Sequence, residues 1–149
     1  MNPSDFNIVA FKLAHGKNST AAEFRSSISR SYYAVFHVGA EILNDIGIKV
    51  DTGPKGHHDV IDKLNHTNDK ELKFVGSQLN DLYSARLQAD YHLNNADIEN
   101  PDKAKAVVKQ AANLIARVDG CKKGEPSRKD NAAKCIKEWQ EKLKPSPSK

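Results

Sequence analysis

Apolar residues recur at intervals of three and four along nearly the whole 149-residue chain, and this spacing constrains the fold more than any other feature. No stretch alternates β-branched and polar residues in the way that a half-buried strand requires. Glycine and proline interrupt the helical pattern, most clearly in I-K-V-D-T-G-P-K-G, residues 48–56. The sequence therefore predicts an all-α protein, an up-and-down helical bundle of four to five helices plus a short C-terminal amphipathic helix.

Capping residues and glycines predict where the helices begin and end. Thr20 and Glu23 have the spacing of a capping box, and Gly47 is placed as a helix-ending glycine, so the longest helix is expected between them. The predicted helices span residues 4–14, 20–47 and 57–65, then a helix capped by Asn68 or Asp69 that reaches about residue 88, then 101–118 and a last helix capped by Ser127 with Asp130. In the first helix, Phe6, Val9 and Leu13 fall on one side.

The formal charge of +4 is unevenly distributed along the chain. Residues 1–120 hold 14 Lys and Arg against 15 Asp and Glu, whereas residues 121–149 hold 9 against 4. We therefore expect a helical bundle at 1–120 and a basic C-terminal helix with a proline-containing tail at 121–149. The basic segment would serve either RNA capture or solubility.

Several classes of site and location are disfavoured by the sequence. No apolar run approaches the roughly 18 residues of a membrane span, and no secretory signal is recognisable, so a cytoplasmic protein without membrane contact is expected. Cys121 and Cys135 are predicted to be free thiols. No phosphate-loop or dinucleotide motif occurs, so no cofactor is expected. The spacing of His57, His58 and His66 fits no metal site, and they are interpreted as loop and helix-start histidines.

The long second helix has two contrasting faces. On a wheel of about 100° per residue, its core face holds Phe24, Ile28, Val35, Ile42 and Ile46. The opposite polar stripe is made by Ser26, Arg30, Tyr33, His37, Glu41 and Asn44. This stripe is either a solvent-exposed face or a surface for RNA or a partner, and the aromatic ring in its middle favours something that covers it.

A second group of polar residues, R-L-Q-A-D-Y-H at Arg86 to His92, ends the fourth predicted helix. Arg86 continues an apolar stripe, so its permanent charge must be paired, covered by an interface or used in chemistry. Asp90 is its natural ion-pair partner at i+4, which is also the simplest structural role for both residues. His92 lies just past the expected helix end.

Three segments together resemble HEPN-domain proteins (higher eukaryotes and prokaryotes nucleotide-binding), of the small stand-alone prokaryotic kind. They are S-R-S-Y-Y-A-V-F-H in the second helix, G-P-K-G-H-H-D-V-I after the glycine-bounded loop, and L-Y-S-A-R-L-Q-A-D-Y near the end of the next long helix. The resemblance covers about residues 4–118 and implies a four- or five-helix bundle that commonly forms a homodimer.

The resemblance also implies an activity. Many HEPN proteins are metal-independent endoribonucleases, and their active motif is an Arg followed after four to six residues by a His. Two segments here have that spacing, Arg30 to His37 and Arg86 to His92, and the second is favoured by its position. The predicted reactive pair is therefore Arg86 with His92, while Arg30 and His37 line the same groove or grip the RNA.

The remaining expectations concern binding residues and partners. Tyr33, Asp90 and Tyr91 are the predicted binding residues, and RNA or a nucleotide is the predicted ligand. The resemblance implies a toxin or antiphage role, with a small nucleotidyltransferase-like antitoxin as partner. Because Leu87 and Asn94 replace the Asn and Tyr of the fuller toxin motif, two alternatives stay open: a non-catalytic nucleotide- or RNA-binding module, and a partner-binding subunit of such a pair.

Overall fold

The computed structural model describes residues 1–145, which form six α-helices, one short 3₁₀ helix and no strand. The helices are α1 (Asp5–His15), α2 (Ala21–Asp45), α3 (Gly56–Asn65), α4 (Lys70–Tyr91), α5 (Pro101–Lys122) and α6 (Pro126–Leu143), with the 3₁₀ helix at Ala96–Glu99. The predicted all-α bundle is confirmed. In this described part of the chain, no helix is both long and apolar enough to cross a membrane.

The central element of the bundle is α2, which packs against α1, α3, α4 and α5. Its core face is as predicted in the middle of the helix, where Ile28, Val35 and Ile42 are fully buried. Phe24 at one end joins a smaller cluster with α1 and α5. A main core therefore surrounds most of α2 and a smaller one surrounds its first turn, and the polar stripe is left on the other side of the helix.

Both predicted ends of α2 are found in the structure. The Glu23 side chain accepts a 2.6 Å hydrogen bond from the Thr20 backbone N–H, and the Thr20 hydroxyl accepts from the Glu23 N–H at 3.3 Å. After the last helical residue, Asp45, Gly47 adopts a φ of +84°, a left-handed conformation that favours glycine. These two signals fix the register of the helix that carries Arg30, Tyr33 and His37.

The apolar side of α1 identified in the sequence is only partly buried, with Phe6 and Leu13 half-buried and Val9 exposed. Val9 is 47% exposed, whereas the residues that α1 buries are Ala10 and Ala14. The small alanines allow a close approach to α2, where the Ser27 hydroxyl donates a 2.8 Å hydrogen bond to the Ala10 carbonyl. With its alanines facing α2, α1 leaves the larger apolar residues Ile8 and Phe11 at the surface.

The predicted boundary between the last two helices is also wrong. The α5 helix continues past Val118 and through Gly120 to Lys122, because burial of Cys121 in the core holds its last turn. The α6 helix begins at Pro126 without a side-chain cap, so Ser127 lies inside its first turn. Residues 146–149, most of the predicted proline-containing tail, lie outside the described residues.

A single carboxylate connects α6 to α4. Asp69 caps α4 by accepting the backbone N–H groups of Glu71 and Leu72, each at 3.1 Å, and it also pairs with Arg128 of α6. Arg128, one of the basic residues of the C-terminal segment, is therefore paired within the bundle. Hydrogen bonding from Arg128 is the main reason that the pKa of Asp69 is lowered from 3.8, although burial opposes it.

Replacing Asp69 by Ala is expected to lower the free energy of unfolding by about 2–3 kcal/mol, because a helix cap and an ion pair are lost together. A lowered folded-state pKa means that the stabilisation is complete above pH 3.8 and is lost as the pH falls through the folded value. Urea unfolding at pH 7 and at low pH measures both effects. The exposed Asp81 of α4 is the matched control, and equal losses for Asp69→Ala and Asp81→Ala would contradict the assignment.

Candidate functional site

The side chain of Arg86 is buried near the C-terminal end of α4. It continues the stripe of Leu79 and Leu82, as the sequence predicts, and is only 6% exposed. Its guanidinium carbon lies 5.3 Å from the ring centroids of Tyr32 and Tyr83. The rings of Tyr33 and Tyr91 are at 5.5 and 5.9 Å. Four tyrosine rings therefore surround one permanent positive charge at distances suited to cation–π attraction.

Few hydrogen bonds satisfy this guanidinium. One Arg86 nitrogen, Nη1, donates to the Tyr33 hydroxyl at 3.3 Å and to Asp90 Oδ2 at 3.5 Å. The Ser29 hydroxyl also donates to that carboxylate, at 3.1 Å. Among residues 1–145, Arg86 Nε has no hydrogen-bond partner. Because a guanidinium has five N–H donors, Arg86 retains the capacity to bind an anion.

The ring of His57 lies beside the same tyrosines. Its Nδ1 atom is 2.6 Å from the Tyr32 hydroxyl, and its centroid is 5.6 Å from that of Tyr83. His57 is the second residue of α3, and Gly56 precedes it because a Cβ there would collide with the Asp51 carbonyl oxygen. The pKa of His57 is lowered from 6.5, first by burial and then by the positive charge of Arg86. Its imidazole is therefore neutral at pH 7.

His37 and Arg30 border the site on the α2 side. The His37 ring packs between those of Phe6 and Tyr33, with centroids 5.8 and 6.2 Å away. Partial burial lowers its pKa below 6.5, although Glu41 acts in the opposite direction. The Arg30 guanidinium carbon lies 5.3 Å from the Tyr33 centroid, on the same ring that Arg86 approaches. Tyr33 therefore links the two arginines predicted from the sequence.

We call this group the aromatic site. It is made by Arg30, Tyr32, Tyr33, Phe36, His37, His57, Tyr83 and Arg86. Two fixed cations suit the charge of a phosphate, and flat rings suit a stacked base. Two neutral imidazoles can accept protons at pH 7. The combination is chemically suited to a phosphodiester in a single-stranded nucleic acid.

The other predicted site residues lie at the end of α4. Asp90 contacts Arg86, and the ring of Tyr91 lies over the guanidinium although the residue is 69% exposed. His92 is exposed at the C-cap of α4. The ring packing that joins His57 and His37 to the tyrosines does not include His92 in the described part of the chain. The catalytic role of His92 stays a prediction.

A buried arginine that the sequence analysis did not single out holds the end of α4 in place. Arg25 is 7% exposed, and its Nε donates to Glu99 at 2.9 Å. Its remaining donors reach five backbone carbonyls at 2.9–3.3 Å, those of Gln88, Ala89, His92, Leu93 and Asn95. Arg25 thus satisfies carbonyls at the end of α4 and fixes the segment that follows Tyr91.

The sequence correctly predicts His57 at the start of a helix. It gives no indication that His57 lies near the tyrosines around Arg86. The available signal was its position directly after a glycine-bounded loop within one of the three HEPN-like segments. His66 is elsewhere, stacked on Trp139 with centroids 3.9 Å apart. In residues 1–145, no three His, Cys, Asp or Glu side chains form a group that could hold a metal ion.

No protein-family model, curated protein or solved structure matches the chain.

Proposed function

We propose that the chain is a HEPN-like, RNA-directed protein and that the aromatic site cleaves RNA without a metal ion. One observation carries the proposal: the buried Arg86 guanidinium has an N–H free of any partner in residues 1–145, and it approaches the same Tyr33 ring as two imidazoles of lowered pKa. A cation to hold the scissile phosphate and a neutral base are the main requirements of this reaction.

In the proposed reaction, the ribose 2′-oxygen attacks the adjacent phosphorus and the bond from phosphorus to the 5′-oxygen breaks. His57 accepts the 2′-hydroxyl proton, and an acid protonates the departing 5′-oxygen. The products are a 2′,3′-cyclic phosphate and a 5′-hydroxyl. If His57 Nδ1–H donates to the Tyr32 hydroxyl, Nε2 is left free to act as the base. Arg86 stabilises the charge that develops on the phosphate oxygens.

The acid in this scheme is His37, which must be protonated when substrate is bound. A bound phosphate favours that form, because a nearby negative charge raises a histidine pKa. A homodimer would bring a second set of cations and imidazoles to the same RNA, and we include it in the proposal. A toxin or antiphage role in the cytoplasm, with a nucleotidyltransferase-like antitoxin, belongs to the same proposal.

Cleavage is expected to depend on pH through His57. Because its pKa is lowered, the base is neutral at pH 7 and kcat/KM falls only when the pH drops below 6.5, through the lowered value. Rates measured from pH 4.5 to 8, together with an NMR titration of the His57 ring, test this point. An acidic limb centred above 6.5, or one that does not follow the His57 titration, would contradict the assignment.

The roles of His57, His37 and His92 are distinguished by measuring cleavage of a mixed RNA pool with EDTA present. His57→Gln is expected to reduce cleavage by about 10²-fold or more, because general base catalysis is lost. His37→Gln is expected to reduce cleavage by a comparable factor, because the proposed general acid is lost. His92→Gln is expected to leave cleavage nearly unchanged, because the proposed reaction uses His57 in place of the His92 predicted from the sequence. Mass spectrometry should find 2′,3′-cyclic phosphate ends. Full activity in His57→Gln would reject that base, and loss only in His92→Gln would restore the Arg86–His92 pair.

A second candidate function is a non-catalytic RNA- or nucleotide-binding module, which would include service as the partner-binding subunit of a toxin–antitoxin-like pair. The 6% exposure of Arg86 favours this function. A guanidinium held firmly among aromatic rings is better suited to fixing those rings for base stacking than to contacting a reacting phosphate. The EDTA assay distinguishes the two functions. Saturable RNA binding without turnover, weakened by Tyr33→Leu, would establish the binding module.

A further inference from the structure

An apolar groove of about 640 Å³ runs between α1 and α5. It lies away from the aromatic site, because Phe6 projects from the other side of α1 at about 100° per residue. Its apolar lining is formed by Ile8, Phe11, Val108, Ala112 and Ile115. Ile8 and Phe11 are 55% and 52% exposed to solvent. Covering these apolar side chains with a partner would be favourable, because it removes apolar surface from water.

Positive charge borders this groove. Lys12, Lys105 and Lys109 line it, and no aspartate or glutamate among residues 1–145 does. All three lysines are exposed, and none makes a hydrogen bond or an ion pair with another residue between 1 and 145. Other lysines of the chain are paired, such as Lys63 with Asp59 at 2.8 Å. The groove therefore has an apolar base, and the lysines at its rim carry positive charges that no ion pair within residues 1–145 neutralises.

We propose that this groove binds an acidic amphipathic helix of a protein partner. A third helix laid between α1 and α5 can place apolar residues at i, i+4 and i+7 against Phe11 and Ile115. Glutamates beside that apolar face would meet the lysine rim, and charge complementarity of this kind selects partners and speeds association. A second copy of the chain is a poorer occupant, because a two-fold contact would bring the same lysine rim against itself.

The test uses a fluorescein-labelled peptide of about 15 residues, long enough for four helical turns, with leucines at i, i+4 and i+7 and glutamates on both flanks. The comparison peptide carries lysines in place of the glutamates. Fluorescence anisotropy with the full chain is expected to show saturable binding of the acidic peptide only. Lys105→Glu/Lys109→Glu should weaken its binding about tenfold at low salt, and added salt should reduce the difference.

The matched control is Lys134→Glu/Lys137→Glu on exposed positions of α6, which changes the charge equally and should leave peptide affinity unchanged. Equal binding of both peptides, or an equal effect of the two double variants, would overturn the proposal. So would a dimer in sedimentation velocity that Phe11→Glu dissociates, or sedimentation of the chain with phosphatidylglycerol vesicles that the same change abolishes. RNA cleavage should be unaffected by Lys105→Glu/Lys109→Glu, so the proposed function is tested separately.

Discussion

Replacing Arg86 by Met is expected to reduce metal-free RNA cleavage by about 10²–10³-fold, the cost of removing a cation that stabilises charge in a transition state. Methionine keeps the length and apolar stem of the side chain, and the four surrounding tyrosines accept an apolar group. The fold should therefore survive, since the Asp90 carboxylate that loses its partner is 29% exposed and can be hydrated by water. Initial cleavage rates and a thermal unfolding curve measure the two effects.

Arg117→Met is the control for Arg86→Met. Its guanidinium lies 4.3 Å from the Phe74 centroid and pairs with Glu71 at 2.6 Å, so it resembles Arg86 chemically but lies outside the aromatic site. We expect Arg117→Met to keep full cleavage. Arg86→Lys should recover only a small part of the activity, because an ammonium cannot reproduce the planar fork. Undiminished cleavage by folded Arg86→Met would remove Arg86 from the mechanism.

Replacing Arg25 by Met is expected to lower the free energy of unfolding by about 3–5 kcal/mol, because several carbonyls and the Glu99 carboxylate lose their donor in a largely buried setting. The loss should be strongest locally. Amide hydrogen exchange is expected to accelerate in residues 92–99, the segment that Arg25 fixes after α4. Urea unfolding gives the global effect, and exchange measured by NMR gives the local one.

Two further variants separate the parts of the Arg25 network. Glu99→Gln keeps the carbonyl contacts of Arg25 and should cost only about 1 kcal/mol, because the Glu99 side chain is 30% exposed. Arg117→Met, which removes a more exposed arginine, should cost a similarly small amount. A loss below about 1 kcal/mol for Arg25→Met would show that water replaces the guanidinium without penalty, contrary to the expected cost of unsatisfied buried carbonyls.

The features predicted correctly from the sequence depend on neighbours along the chain. The capping box at Thr20 and the glycine at position 47 act within a few residues, so the ends of α2 could be predicted. The burial of Arg86 followed from the periodicity of α4, and its pairing with Asp90 followed from the i+4 spacing. Local rules also placed Arg30, Tyr33 and His37 on one stripe.

The features that were missed depend on how helices approach each other. Burial in α1 is deepest at Ala10 and Ala14, because small side chains let α1 approach α2 closely, and Val9 is left at the surface. The position of His57 beside Tyr32 follows from the way α3 crosses the bundle, which no spacing within α3 indicates. Arg25 was missed because its partners lie more than 60 residues away in the sequence.

The most direct test of the proposed function is an NMR titration of the full chain with a short single-stranded RNA in which every 2′-hydroxyl is methylated, so that the attacking group is blocked and no linkage is cleaved. The Arg86 Nε–H signal and the His57 ring signals are expected to shift together, and the His57 pKa should rise as a phosphate approaches. Shifts confined to the basic α6 helix, or no saturable shift at Arg86, would contradict an RNA site in this bundle.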